Sequence, residues 1–127
     1  MNKSRKILVI DDSPTMLKAI EASFKKLNEL NLILEKDPLN AMQYIKFTND
    51  IDLLVVDWNM PKMNGIDVIK EVRKIPHYKY LPILMITTEG TKSSVEESIK
   101  CGVSGYIIKP FTFEIFKYEV EKIFTFF

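Results

Sequence analysis

The strongest constraint on this chain is a set of four short apolar runs, each of which stops at a polar residue. Ile7–Ile10 runs into Asp11-Asp12 and Leu53–Val56 into Asp57. Residues 83–86 run into Thr87-Thr88, and residues 106–108 into Lys109-Pro110. Apolar runs of this length, partly β-branched, read as strands buried on both faces, the pattern of a parallel sheet. In an open α/β sheet, ligands bind where the strands finish. If these strands are parallel neighbours, acids, hydroxyls and an amine converge on one sheet edge.

The segments between the runs carry helix signals. Ser13 caps a first helix with Pro14 in its first position, and Met16, Leu17, Ile20, Phe24 and Leu27 recur at helical spacing. Residues 32–34 form a short second strand, and Asp37-Pro38 opens a second helix with Met42 and Ile45 inward. Pro61 and the turn pair Asn64-Gly65 follow Asp57. Ile66, Ile69 and Val72 mark a third helix that Pro76 ends, and His77, Tyr78 and Tyr80 read as a solvated loop. The fourth helix, about residues 91–101, is mostly polar, with Val95 and Ile99 its large apolar residues. Ser93 and Glu96 suggest a capping box there, and Gly102 a C-terminal stop. Thr112 caps a fifth helix, with Phe111 and Phe116 as a hydrophobic staple and Phe113, Phe116, Val120, Ile123 and Phe124 as its inner stripe. Five βα units predict a doubly wound five-stranded parallel sheet with five helices.

The chain's 127 residues suit one domain with a full core, expected to span residues 1–127. The formal net charge of +1 offers no electrostatic footprint for nucleic acid. The apolar runs are far too short to span a membrane, and no signal peptide opens the chain, because residues 2–6 lead directly into a strand. Cys101 is the only cysteine, which excludes an internal disulfide and reads as a small apolar filler near a helix end. A cytoplasmic monomer is expected.

The convergent groups define a chemistry. Asp11, Asp12 and Asp57 would crowd three carboxylates, which is costly unless a cation relieves it. Mg²⁺ favours a few carboxylates together with waters and phosphate oxygens. With its charge screened by the metal and Lys109, Asp57 can attack phosphorus and form an aspartyl phosphate. Mg²⁺, the Lys109 ammonium and the Thr87 hydroxyl suit the negative charge of a transferring phosphoryl group. Asn59 and Glu89 each lie two residues past a catalytic strand end, at Asp57 and Thr87, where they could orient an attacking water or assist a partner phosphatase.

Asp11-Asp12, Asp57, Thr87 and Lys109-Pro110, in that order and spacing, resemble the receiver domain of two-component response regulators. The stretch Asp57-Trp58-Asn59-Met60-Pro61 with Gly65, and the segment from Gly105 to Thr112, resemble the single-domain chemotaxis regulators of that family. The resemblance covers the whole chain. It implies the flavodoxin-like strand order 2-1-3-4-5. It makes Asp57 the phosphoacceptor, Asp12 and Asp57 direct Mg²⁺ ligands with the Asn59 carbonyl, and Asp11 a support through water. It places Thr87 and Lys109 on the phosphoryl group, makes the Lys109-Pro110 bond cis, and makes Tyr106 a switch aromatic that turns inward as Thr87 moves.

The same resemblance implies a stand-alone receiver that is not a turnover enzyme. Its phosphoryl donor would be a sensor histidine kinase of the chemotaxis type, and its target the flagellar motor switch or another effector. Output would pass through a partly apolar face on the fourth helix, fifth strand and fifth helix, carrying Val95, Ile99, Tyr106, Ile108, Ile115 and Glu119. Thr88 is larger than the residue the chemotaxis regulators carry there, and Ile115 and Glu119 depart from them on the partner-binding face. A phosphorelay shuttle and a phosphate sink share this chemistry. A haloacid-dehalogenase-type phosphatase also uses Asp, Thr, Lys and Mg²⁺, but its nucleophile follows the first strand with a second Asp two residues on. Here Asp57 follows the third strand, and Asn59 holds that place. A flavin module on this fold would need a phosphate cradle where Asp11-Asp12 stand.

Overall fold

The computed structural model describes residues 4–126. Asn2 and Lys3 of the opening segment lie outside them, as does Phe127. The elements alternate: β1 (Ile7–Ile10), α1 (Pro14–Lys26), β2 (Leu32–Glu35), α2 (Pro38–Lys46), β3 (Leu53–Val56), α3 (Gly65–Arg73), β4 (Ile83–Thr87), α4 (Lys92–Lys100), β5 (Gly105–Ile108) and α5 (Phe113–Phe126). A 3₁₀ turn, Pro76–Tyr78, separates α3 from β4. The five strands are all parallel, in the expected order β2-β1-β3-β4-β5.

Alternation along the strands sorts the core into two layers. Leu8, Ile10, Leu54, Val56, Ile83 and Met85 face α2 and α3, where Ala41, Ile45, Ile66, Val68, Ile69 and Val72 cover them. Ile7, Val9, Leu53, Val55, Leu84, Ile86 and Ile107 face α1 and α5, against Leu17, Ile20, Phe24, Phe116, Val120 and Ile123. Phe24 and Phe116 meet edge to face at 4.8 Å and fasten those two helices together. Each such fully buried side chain contributes about 1.5–3 kcal/mol. β1, β3 and β4 are the inner strands, buried on both faces, so the residues that follow them are held rigidly.

The caps form largely as expected. The side chains of Ser13, Asp37 and Asn64 accept from the backbone N–H of Met16, Leu39 and Asp67. The Thr112 hydroxyl accepts from Ile115 N at 3.2 Å, and Phe111 stacks on Phe116. Gly102 adopts φ 94° after α4, as a C-terminal stop requires. Cys101, half-buried, packs against the α2–α3 side of the core.

Some expectations need correction. α4 is capped by Thr91 and not by a Ser93–Glu96 box: Thr91 has extended backbone, and its hydroxyl accepts from Ser94 N at 3.1 Å. Ser93 is already helical, which leaves it unable to serve as the cap. Tyr78 is not solvated. It is 2% exposed, and its hydroxyl donates to Thr48 O at 2.9 Å, so the turn before β4 plugs the base of the fold. His77 and Tyr80 are exposed as expected, and His77 Nε2 lies 2.5 Å from Asn49 O. On α5, Phe113 and Phe124 are half-buried at the margin of the core, each under a cation, Lys26 and Arg5 respectively.

Candidate functional site

The site is assembled by parallel pairing. Asp11 N donates to Glu35 O, Asp57 N to Ile10 O, and Lys109 N to Thr87 O, so each residue just past a strand end is registered against its neighbour. Asp11 and Asp57 end inner strands and are buried, as is Thr87, the last residue of β4. Asp12 is exposed. Carboxylate oxygens of Asp11, Asp12 and Asp57 lie within 4.8 Å of one another.

Lys109 reaches into this cluster from the end of β5. Its Nζ donates to Asp11 Oδ2 at 2.8 Å and to Asp57 Oδ2 at 3.2 Å. The bond to Pro110 is cis. Asp11 Oδ1 accepts from Ser13 N at 2.9 Å, beside the start of α1. Burial pushes the Asp11 carboxyl above the usual carboxylate range, and the hydrogen bonds from Lys109 and Ser13 only partly offset it. For Lys109, burial pulls downward, but its bond to Asp11 and the charge of Asp57 outweigh this and hold the ammonium above its ordinary value. The amine therefore stays charged where a developing anion would need it.

The loop after β3 approaches the chain closely. Gly65 N donates to Trp58 O at 2.8 Å. A Cβ at Gly65 would lie 2.2 Å from the Asp57 carbonyl oxygen, so no larger residue fits without moving the Asp57 backbone.

A second group of residues borders the pocket. Asn59 Nδ2 donates to Glu89 Oε1 at 2.8 Å, and Glu89 N donates to the Thr87 hydroxyl at 3.3 Å. The Tyr106 hydroxyl donates to the Glu89 carbonyl. Tyr106 is half-buried, and burial, then the nearby charges of Glu89 and Asp57, raise its pKa, so the phenol keeps the proton it donates. Thr88 is exposed. Ile108 packs beside Gly90, whose missing Cβ would lie 3.3 Å from Ile108 Cδ1.

The residues of the expected output face are distributed as follows. Ile99, Ile108 and Ile115 are 60%, 46% and 51% exposed, on α4, β5 and α5. Val95 is half-buried. Glu119 is half-buried too, ion-paired with Lys122 at 3.2 Å and lying over Gly105.

Two features were not legible beforehand. Asn59 and Glu89 were each visible from their spacing, but a bond between residues thirty positions apart has no local signal. Lys62 adopts φ 71° in the loop after Asp57 and pairs with Asp37 at 3.1 Å. A lysine at positive φ carries no sequence mark.

The donor set fits a hard divalent cation. It is all oxygen and has two buried carboxylates and an exposed third, Asp12, that leaves a side open to water or phosphate. No cysteine or histidine belongs to it. The cluster can therefore hold a metal.

The comparisons with known proteins agree with this geometry. Residues 7–121 match the family model described as response regulator receiver domain. The chain is 40% identical over 118 residues to chemotaxis protein CheY1 of Helicobacter pylori, covering 93% of this chain and 95% of that one. It is 41% identical over 124 residues to chemotaxis protein CheY-3 of Vibrio cholerae, covering 98% and 95%. Among solved structures it resembles the chemotaxis response regulator CheY4 of Vibrio cholerae, with TM-score 0.86 and 27% identity over 95% of this chain and 99% of that one. A parallel sheet that gathers Asp11, Asp12, Asp57, Thr87 and Lys109 at one edge, and a family match across nearly the whole chain, lead to one conclusion: this chain belongs to the response regulator receiver domain family.

Proposed function

We propose that this chain accepts a phosphoryl group on Asp57 from a sensor histidine kinase and signals through the α4-β5-α5 face. The observation that carries the reading is the contact of one ammonium, Lys109 Nζ, with Asp57 and Asp11 at once, inside a three-carboxylate cluster. Asp57 is buried enough to be oriented, and its side chain reaches the same open edge as Asp12. In the transfer, an Asp57 carboxylate oxygen forms a bond to phosphorus as the bond from phosphorus to the donor's histidine nitrogen breaks. Asp12, Asp57 and the Asn59 carbonyl, with support from Asp11, would hold a Mg²⁺ ion, which would supply charge neutralisation for the phosphoryl oxygens. Lys109 pairs with the new negative charge, and the Thr87 hydroxyl, freed from Glu89 N, donates to it.

Loss of the Thr87–Glu89 bond would loosen the loop that Tyr106 and Asn59 hold, and so change the face that carries Ile99, Ile108 and Ile115. Exposed apolar residues there suit a partner surface and favour a signalling role over a phosphate sink. The relatives' description as chemotaxis proteins supports a role in chemotaxis; the flagellar motor switch is the target and the cytoplasm the place of action in this reading. The protein would act stoichiometrically, with Asn59 and Glu89 setting the phosphoryl lifetime, alone or with a partner phosphatase, and not as a turnover enzyme.

Incubation with a small acyl phosphate and Mg²⁺ tests this reading. One hydroxylamine-labile phosphoryl group should appear on the wild type and be absent from Asp57→Asn. Equal labelling of the two proteins would remove Asp57 as acceptor.

A further inference from the structure

α4 is tied down unevenly. Of its nine residues only Ser98 is buried, and Ser98 spends its hydroxyl on Val95 O within the same helix. Apolar packing therefore does little to fix the helix, and its ends decide its position. At the N-terminal end, Thr91 caps the helix from within its own chain. The loop before Thr91 is held through Glu89, whose carbonyl accepts from Tyr106 and whose carboxylate accepts from Asn59. Both partners belong to the phosphoacceptor's edge of the sheet.

At the C-terminal end the ties lead away from that edge. Val103 N donates to Ser98 O at 3.2 Å and closes the helix around Gly102. Arg73, the last residue of α3, donates from Nη2 to Gly102 O at 2.7 Å and from Nη1 to Tyr78 O at 3.1 Å. Tyr78 is itself anchored in the base of the fold through Thr48. The guanidinium also lies close beside Gly102, where a Cβ would stand 3.2 Å from Nε. The planar fork serves the two carbonyls from two separate nitrogens, whereas a lysine would have to reach both from one. Its charge also suits the negative end of α4. Immediately downstream, Ser104 is bonded both ways to Ile83 at the start of β4.

We propose that Arg73 is the pivot of α4. It clamps the C-terminal end of the helix to the rigid base of the fold, so that the N-terminal end alone follows the state of the site. A nine-residue helix is roughly 13 Å long, so a modest rotation about one end displaces the other visibly. The second half of the proposal rests on Asp57 as phosphoacceptor. The clamp itself does not.

Residue-resolved amide exchange by NMR on the full chain separates the two. The variants are Arg73→Ala and Arg73→Lys, the second keeping the charge but not the fork. In both, the amides of Cys101 and Val103 should exchange about tenfold faster or more than in wild type, as expected for loss of charge-assisted bonds. Leu54 and Val55 in the central strand should be unchanged. Equal acceleration at Leu54 and Val55 would mean a merely global loss of stability and would overturn the clamp. So would full protection at Cys101 in Arg73→Lys.

Beryllofluoride with Mg²⁺ provides the second arm. In wild type it should shift resonances of residues 89–96 and leave 101–103 in place, and in Arg73→Lys the shifts should extend to 101–103. Wild-type shifts of equal size at both ends of α4 would overturn the pivot. If beryllofluoride shifts nothing in the wild type, the phosphoacceptor reading falls, and the pivot falls with it as a signalling device; the exchange arm still decides the clamp.

Discussion

α3 and α4 are both nine residues long, and each follows a strand that ends in the site. α3 buries Gly65, Ile66, Val68, Ile69 and Val72, whereas α4 buries only Ser98. The first is fused to the core and carries the backbone of the loop after Asp57 with it. The second rides on the surface, held at its ends. The contrast shows how one fold separates rigidity from response. The helix after Asp57 has no room to shift toward it, because even a Cβ on its first residue would stand 2.2 Å from the Asp57 carbonyl oxygen. The helix after Thr87 can move, because little apolar area opposes it.

Substitutions that add or remove bulk should break this contrast most sharply at Gly65. Gly65→Ala forces a Cβ against the Asp57 carbonyl and should cost more than about 4 kcal/mol or displace the loop after Asp57. Urea unfolding and phosphoryl incorporation would both fall, and near-wild-type values of both would show that α3 is more yielding than its packing implies.

A matched pair comes next. Ile69→Ala removes a fully buried side chain from α3 and should cost about 3 kcal/mol. Ile99→Ala removes an exposed one from α4 and should change stability by less than about 0.5 kcal/mol. Comparable shifts in the two denaturation midpoints would erase the distinction between the helices.

Tyr106→Phe should act at the α4 end alone. It removes the hydroxyl that donates to the Glu89 carbonyl, at a cost of about 1 kcal/mol. Amide exchange in residues 88–91 should rise while that of α3 stays constant, and a uniform rise would contradict a local role. The smallest expected effect on stability is that of Asn59→Ala, which breaks an exposed bond to Glu89. Its melting temperature should match wild type, yet its dephosphorylation rate should change. An unaltered rate would reduce the Asn59–Glu89 pair to loop solvation.

Much of this protein is determined by sequence alone. Uninterrupted apolar runs of four residues have nowhere to go but a doubly covered sheet, and helical spacing between them dictates the alternation. The acids, hydroxyl and amine are legible because they stand where apolar runs end, so local chain geometry places them at one edge. The caps at Ser13, Asp37 and Asn64 were equally local. Tertiary structure decided everything that depends on contacts between distant segments. Ser93 looked like a cap, but the path of the loop after β4 gave that place to Thr91. Tyr78 reads as solvated from its neighbours in sequence, but it packs into the core beside Ile51 and Ile83, and its hydroxyl satisfies the Thr48 carbonyl. The Asn59–Glu89 bond and the grip of Arg73 on Gly102 join residues about thirty apart. Such bonds have no periodicity and no local propensity. They exist only because the sheet order β2-β1-β3-β4-β5 brings those loops side by side.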